Sequence, residues 1–357
     1  MLLWNRMNQR IKNLDTFRAI AAIVVMIGHV ELFRQNNWGG SLFNMVPSGH
    51  TAVMMFFVIS GFLITFLLTK EKENYGTISL KYFYLRRVLR ILPLYYLILL
   101  VSSLFFVATP KFSTVAYAIA ILPNVSHAIG CGWSVSPQIW AIGVENLFYI
   151  FFPLVMLLVP NKRMLILLLI TTVSIAILPH AIDFVNVRTI QNSLLAHFNQ
   201  KFFYCNKFDS LLIGCIAGFA FAKNHKLLKI IYNKWLFFVC AIAAIVMWGG
   251  NIETKHFNDE LMSVLFTIVI VNVCTNPYLN IRFENRFTQF LGKISYGIYM
   301  YHWIILLLAF KFLPTECTVW NTVLLYVFVI TATILVAWLS YETYEKFFLN
   351  LKRRFER

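Results

Sequence analysis

The 357 residues are 59% hydrophobic and only 13% charged, with mean hydropathy +0.70, about half the charged share of a soluble domain. The apolar residues fall in long blocks, so an all-α polytopic membrane protein fits and a soluble enzyme does not. The net charge of +16 does not point to nucleic acid, because most Lys and Arg sit in short loops between apolar blocks, the topogenic pattern of membrane proteins.

In chain order the hydropathy predicts ten transmembrane helices, at roughly 14–32, 51–69, 92–108, 143–159, 164–180, 207–223, 235–249, 261–275, 296–312 and 321–341. Residues 1–13 read as an N-terminal tail, 14–345 as the transmembrane domain and 346–357 as a basic C-terminal tail. The segment 113–123 is apolar but too short to span, and reads as interfacial or re-entrant. The first run lacks a small-x-small exit and reads as a retained span. With both termini cytoplasmic, 23 Lys/Arg fall inside, seven in or beside outside loops, and Arg18 within the first span. No internal repeat is visible, which argues against an inverted-repeat transporter. The six cysteines form no CxxC pair and no zinc-spaced cluster, so no metal site is predicted. Cys131, Cys205 and Cys317 lie in or near outside loops, where a Cys131–Cys205 disulfide is compatible with the sequence.

The first helix carries Asp15, Arg18 and His29. Ionisable groups in a bilayer are costly, so each is a candidate functional residue. Arg18 and His29 are about three turns apart, on nearly one face, with about 16 Å between them along the axis. His29 suits proton transfer near neutral pH. Snorkelling of Arg18 to the inner surface, with His29 hydrogen-bonded to a neighbouring helix, is the plain alternative. In the second helix, Ser60-Gly61 within Phe56–Leu63 reads first as a close-packing spot, and second as room for a ligand arm.

Before the third helix stand Arg86, Arg87 and Arg90, with Pro93 expected at that helix's first turn. They are topogenic charge or a phosphate clamp, since guanidinium forks suit phosphate oxygens. Glu145 sits near the outer end of the fourth helix within Trp140–Tyr149, a candidate for orienting a base or a sugar hydroxyl. His302, within Leu291–Trp303, puts a second imidazole inside the ninth helix. Asp209 and the Tyr341–Glu345 segment read as structural or topogenic.

Taken together and in this order, these blocks resemble the membrane-bound acyltransferase 3 family of bacterial carbohydrate O-acyltransferases. The parts that carry the likeness are Arg18-x10-His29, FFVISGF at 56–62, Arg87-x-x-Arg90, the W-x-x-x-V-E-x-x-F-Y block at 140–149 and SYGIYMYHW at 295–303. The likeness runs from Leu14 to about Glu345. It implies a ten-helix enzyme of the bacterial inner membrane with no permanently bound cofactor. It implies transfer of an acyl group, usually acetyl, from cytoplasmic acetyl-CoA or another acyl-CoA to a glycan on the far side, with lipopolysaccharide O-antigen or another surface polysaccharide expected. It also implies that Arg18 and His29 are essential, with the Arg87/Arg90 pair serving acyl-CoA binding or the active fold. Three departures stand out: Ala141 where relatives often have Ser, Met54 where many have a polar residue, and no proline after Glu345. Some relatives carry a fused extracytoplasmic esterase-like domain, and this chain is expected to be the stand-alone form.

The mechanism expected from these residues has the acyl-CoA phosphates at Arg87, Arg90 and Arg86. The pantetheine arm passes Arg18 and Ser60-Gly61, and the thioester comes near His29. His29 then acts as a general base or as a covalent acyl carrier, with Glu145 or His302 orienting imidazole or sugar. A lipid-linked glycan acceptor and membrane lipids are the expected partners, and nucleic acid is not one. A non-glycan acceptor or a multi-pass transporter is the alternative reading.

Overall fold

The computed structural model describes residues 11–38, 46–105, 111–313 and 318–355, and within these it holds helices and no strand. Cys317 lies outside the described residues. The helices are α1 (Leu14–Trp38), α2 (Gly49–Tyr75), α3 (Leu80–Phe105), α4 (Phe112–Ile119), α5 (Pro123–Ala128), α6 (Trp140–Leu158), α7 (Asn161–Val185) and α8 (Ser193–Phe198). They continue as α9 (Phe208–Ala222), α10 (Leu227–Ile231), α11 (Lys234–Gly249), α12 (Asn258–Thr275), α13 (Arg286–Lys293), α14 (Ser295–Phe312), α15 (Val319–Ser340) and α16 (Lys346–Lys352).

Each of the ten predicted helices is present, but the expected number of spans changes. Among the described residues, eight helical runs are long and apolar enough to cross a membrane, nine if α13 and α14, bent by 67°, count as one. The tenth, α11, is apolar but only 16 residues long, below the roughly 20 that match a bilayer. The segment expected at 113–123 becomes the two short helices α4 and α5.

The third helix departs most from expectation. It starts at Leu80 and runs unbroken through Pro93, so Arg86, Arg87 and Arg90 lie inside it and Pro93 is not at a first turn. Neighbouring hydroxyls engage the backbone there: Tyr296 donates to the Ile91 carbonyl at 3.0 Å and Tyr344 to that of Pro93 at 3.2 Å. The carbonyl that Pro93 itself leaves without an intrahelical donor is that of Leu89, and a membrane helix keeps such a proline where neighbouring helices pack against it.

Helix α1 is central. Its Ala21, Ala22, Val25 and Met26 are fully buried, and α2, α13, α14 and α15 pack around it. Helix α7 instead turns Ile166, Ile170, Val173 and Ile177 outward, as a lipid-facing helix must. α2 and α9 approach at backbone contact: a Cβ on Gly61 would collide with the Leu211 carbonyl, and one on Gly214 with that of Val58. Without a hydrophobic drive between helices in lipid, such small-residue contacts carry the packing. Lys72 closes the end of α6, donating to the carbonyls of Met156, Leu157 and Val159 at 2.6, 3.1 and 3.0 Å. A cation is favourable at orphan carbonyls of a helix C-terminus.

Candidate active site

Between α1, α2, α3, α6 and α14 lies a cavity of about 210 Å³. Along α2 its wall extends from Val53 to Leu67, about 21 Å of helix. The cavity is therefore long and narrow, and its lining is not uniform. Arg18, Arg87, Arg90 and Lys352 supply four cations, and Glu145 a carboxylate.

Each charge is held by local structure. Asp15 accepts from Arg18 Nη1 at 3.0 Å, one turn back on α1. The Arg87 guanidinium carbon stands 5.5 Å from the ring centroids of both Phe83 and Tyr149. Cation–π contact fixes its plane. Among the described residues its Nε is buried and has no hydrogen-bond partner. Glu145 accepts from the Ser60 hydroxyl, which in turn accepts from Tyr149 OH at 3.4 Å.

A second cavity, of about 330 Å³, adjoins the first and shares Arg18, Arg90, Tyr296 and Lys352 with it. Gly292 and Lys293 of α13 and Tyr296 of α14, on the two sides of the bend, line it. A Cβ on Gly292 would collide with Asp15, so only glycine lets α1 and α13 meet there.

The two imidazoles meet at the other end. His29 Nδ1 and His302 Nε2 are 2.9 Å apart, and the rings are near-parallel with centroids 5.0 Å apart. Two relationships place this pair one helical turn beyond the cavity. Tyr299 lines the cavity and His302 follows it by one turn on α14. Val53 lines it, and one turn earlier on α2 Gly49 sits against Gly28, the residue before His29.

With both rings neutral, matching donors to acceptors assigns the protons. His302 Nδ1 lies 3.3 Å from the Ile298 carbonyl, which can only accept. Nδ1 therefore carries the proton and Nε2 of neutral His302 is an acceptor. It takes the His29 Nδ1 proton, which leaves His29 Nε2 with its lone pair. His302 is fully buried, and Trp303 stands edge-on to His29 at 5.1 Å.

Arg18, Ser60, Arg87, Arg90 and Glu145 thus gather on one cavity, with His29 and His302 beyond its end. Three expectations change. Arg86 points away: it donates to Glu71 at 3.3 Å and to the Phe355 carbonyl at 2.8 Å. Gly61 faces α9 and not the cavity, because neighbours on a helix point about 100° apart. Glu145 bonds Ser60, and among the described residues neither imidazole is its hydrogen-bond partner. Cys131 and Cys205 are free thiols and form no disulfide.

The sequence reading missed Tyr296, Tyr299 and Lys352. The spacing of Tyr296, Tyr299 and His302 on one helical stripe was a usable signal. For Lys352 none existed. Also missed is a buried ion pair further along α1, where Arg34, with no exposed surface, donates to Glu31 at 2.7 and 2.9 Å and Tyr326 donates to the same carboxylate at 2.8 Å.

The family description "Acyltransferase domain" matches residues 11–342. A provisionally named O-acetyltransferase of Staphylococcus aureus strain COL is 27% identical over 322 residues, covering 83% of this chain and 50% of that protein. The peptidoglycan O-acetyltransferase OatA of Listeria monocytogenes is 24% identical over 365 residues, covering 94% of this chain and 55% of its own length. An uncharacterized Haemophilus influenzae protein is 28% identical over 254 residues, covering 64% of this chain and 99% of its own. The chain spans about half the length of the first two. No solved structure matches it.

Proposed function

The chain belongs to the acyltransferase family matched over residues 11–342, and on that premise we propose that it is a membrane O-acetyltransferase. It takes an acetyl group from acetyl-CoA on the cytoplasmic side and delivers it to a hydroxyl of a cell-envelope glycan on the other, in the bacterial inner membrane with both termini inside. The observation that carries this reading is the polarity of the cavity: cations at one end, an imidazole with a free lone pair beyond the other.

In this reading the donor's phosphates sit at Arg87, Arg90 and Arg18, where charge-assisted bonds to planar guanidinium groups are strongest. The pantetheine arm lies along the α2 wall between Ser60 and Val53. The thioester carbonyl then stands at His29. The sugar O–H gives its proton to His29 Nε2 as its oxygen attacks the acyl carbon. The C–S bond breaks, and the leaving thiolate takes the proton back from the imidazolium. His302 accepts the Nδ1 proton of His29, holds the ring in the tautomer with its lone pair forward and disperses the transient charge, as an orienting partner does in a catalytic triad.

The acceptor is a glycan of the envelope. Peptidoglycan, named for the Listeria relative, and lipopolysaccharide O-antigen are both within that class. Mass analysis of glycan esters from cells with and without the gene tests the reading. Loss of O-acetyl groups from one polymer is expected, and unchanged ester content in every envelope glycan overturns it.

A further inference from the structure

The chain after α15 does not hang free. A turn at Tyr341–Glu345 leads into α16, and Arg353–Phe355 closes the described part. Three contacts seat this segment on α3: the Tyr344 hydroxyl on the Pro93 carbonyl at 3.2 Å, Arg86 on the Phe355 carbonyl at 2.8 Å, and Tyr82 against the Phe355 ring at 6.2 Å. Seated so, Lys352 lines both cavities and Arg353 the second. Lys293, from α13, faces the same space.

The second cavity thus takes cations from four separate helical segments and the C-terminal turn: Arg18, Arg90, Lys293, Lys352 and Arg353. Among the described residues that line it, two are carboxylates. Asp15 is bonded by Arg18 at 3.0 Å, and Glu345 accepts from Ser340 at 3.1 Å. Lys293 reaches Glu342 only at 3.9 Å. Among the described residues the excess of positive charge is convergent, and it adjoins the cavity that Arg87 lines. Topogenic charge needs no convergence, since the positive-inside rule counts residues and not their direction.

We infer that the C-terminal segment is a wall of the donor site, and that Lys352 and Arg353, with Lys293 opposite, bind the phosphates at the nucleotide end of acyl-CoA. This rests on the donor reading above and extends it. Arg87 and Arg18 meet the part of the donor nearest the thioester, and the tail meets the part that stays outside. Arg86, which does not enter the cavity, gains a role as the anchor that holds this wall on α3.

The test uses the full chain in nanodiscs of zwitterionic lipid, with CoA and dephospho-CoA as probes. The Lys352→Ala/Arg353→Ala variant is expected to lose about tenfold in CoA affinity, as removal of charge-assisted phosphate contacts does, and to narrow the gap between CoA and dephospho-CoA. Lys352→Arg keeps the charge and is expected to keep the affinity; a loss there means packing and overturns the inference. Affinity within twofold of the native chain in the double variant, while Arg87→Ala still weakens binding, sinks the wall and leaves the donor site standing. No CoA binding by the native chain sinks both. A difference that appears only when anionic lipid is added assigns the side chains to headgroups and overturns the inference.

Discussion

Arg18 and His29 both look from α1 toward α14. Arg18 shares a cavity wall with Ser295 and Tyr296 at the start of that helix, and His29 bonds His302, two turns further along it. α1 is continuous from Leu14 to Trp38, so the two side chains keep the stagger of about 16 Å that eleven helical residues impose. A guanidinium on the cavity wall and an imidazole one turn beyond the cavity's end stand in line along a single helix.

Removal of the base is the first test. His29→Ala is expected to lower acetyl transfer about a thousandfold or more, with normal amounts of protein in the membrane. The measurement is glycan O-acetyl content alongside an immunoblot, and full acetylation by this variant removes His29 from the reaction.

His302 is expected to behave as a positioning residue. His302→Ala should cut kcat roughly a hundredfold and leave the KM for acetyl-CoA near native, because the Nδ1 bond orients the base and touches no part of the donor. A change confined to KM contradicts this role.

Arg87 is expected to matter through its fork as well as its charge. Arg87→Ala should weaken CoA binding about tenfold. Arg87→Lys should recover only part of that, since lysine lacks the Nε donor and the plane that rests between Phe83 and Tyr149. Isothermal titration of the three proteins decides it; full recovery by lysine reduces the site to simple charge.

The glycine contacts between α2 and α9 predict a loss of stability. Gly214→Val places side-chain carbon where the Val58 carbonyl stands, an overpacking cost of about 1–3 kcal/mol. Thermal unfolding in detergent should shift down by several degrees. Gly249→Ala, where a Cβ meets nothing, is the control and should leave the midpoint in place.

Topology can be read from a thiol. Cys131 is free and partly exposed, in a loop expected outside. In a Cys205→Ser/Cys317→Ser background, a membrane-impermeant maleimide should label Cys131 on intact cells without prior reduction. Labelling only after lysis reverses the assigned orientation.

Several of these relationships were legible before any coordinates. Long apolar blocks with sparse charge leave no alternative to membrane helices, since a bilayer demands that backbone polar groups pair within the segment. Helical periodicity alone placed Arg18 and His29 on one stripe. What the periodicity of single helices cannot give is which stripe meets which. Arg86, Arg87 and Arg90 are alike as residues, yet Arg86 turns to Glu71 and the C-terminal turn while the other two line a cavity. Ser60 and Gly61 are neighbours that serve different partners.

The sequence by itself determined the class of protein, the existence of its helices and the stagger of two reactive groups along one of them, because these follow from hydrophobic length and a fixed rise per residue. Only the tertiary structure decided that His302 completes the His29 pair, that Glu145 answers Ser60 and that the basic C-terminal segment reaches the cavity. Those are contacts between residues far apart in the chain, set by how helices pack and bend, and packing depends on the shapes of two surfaces at once.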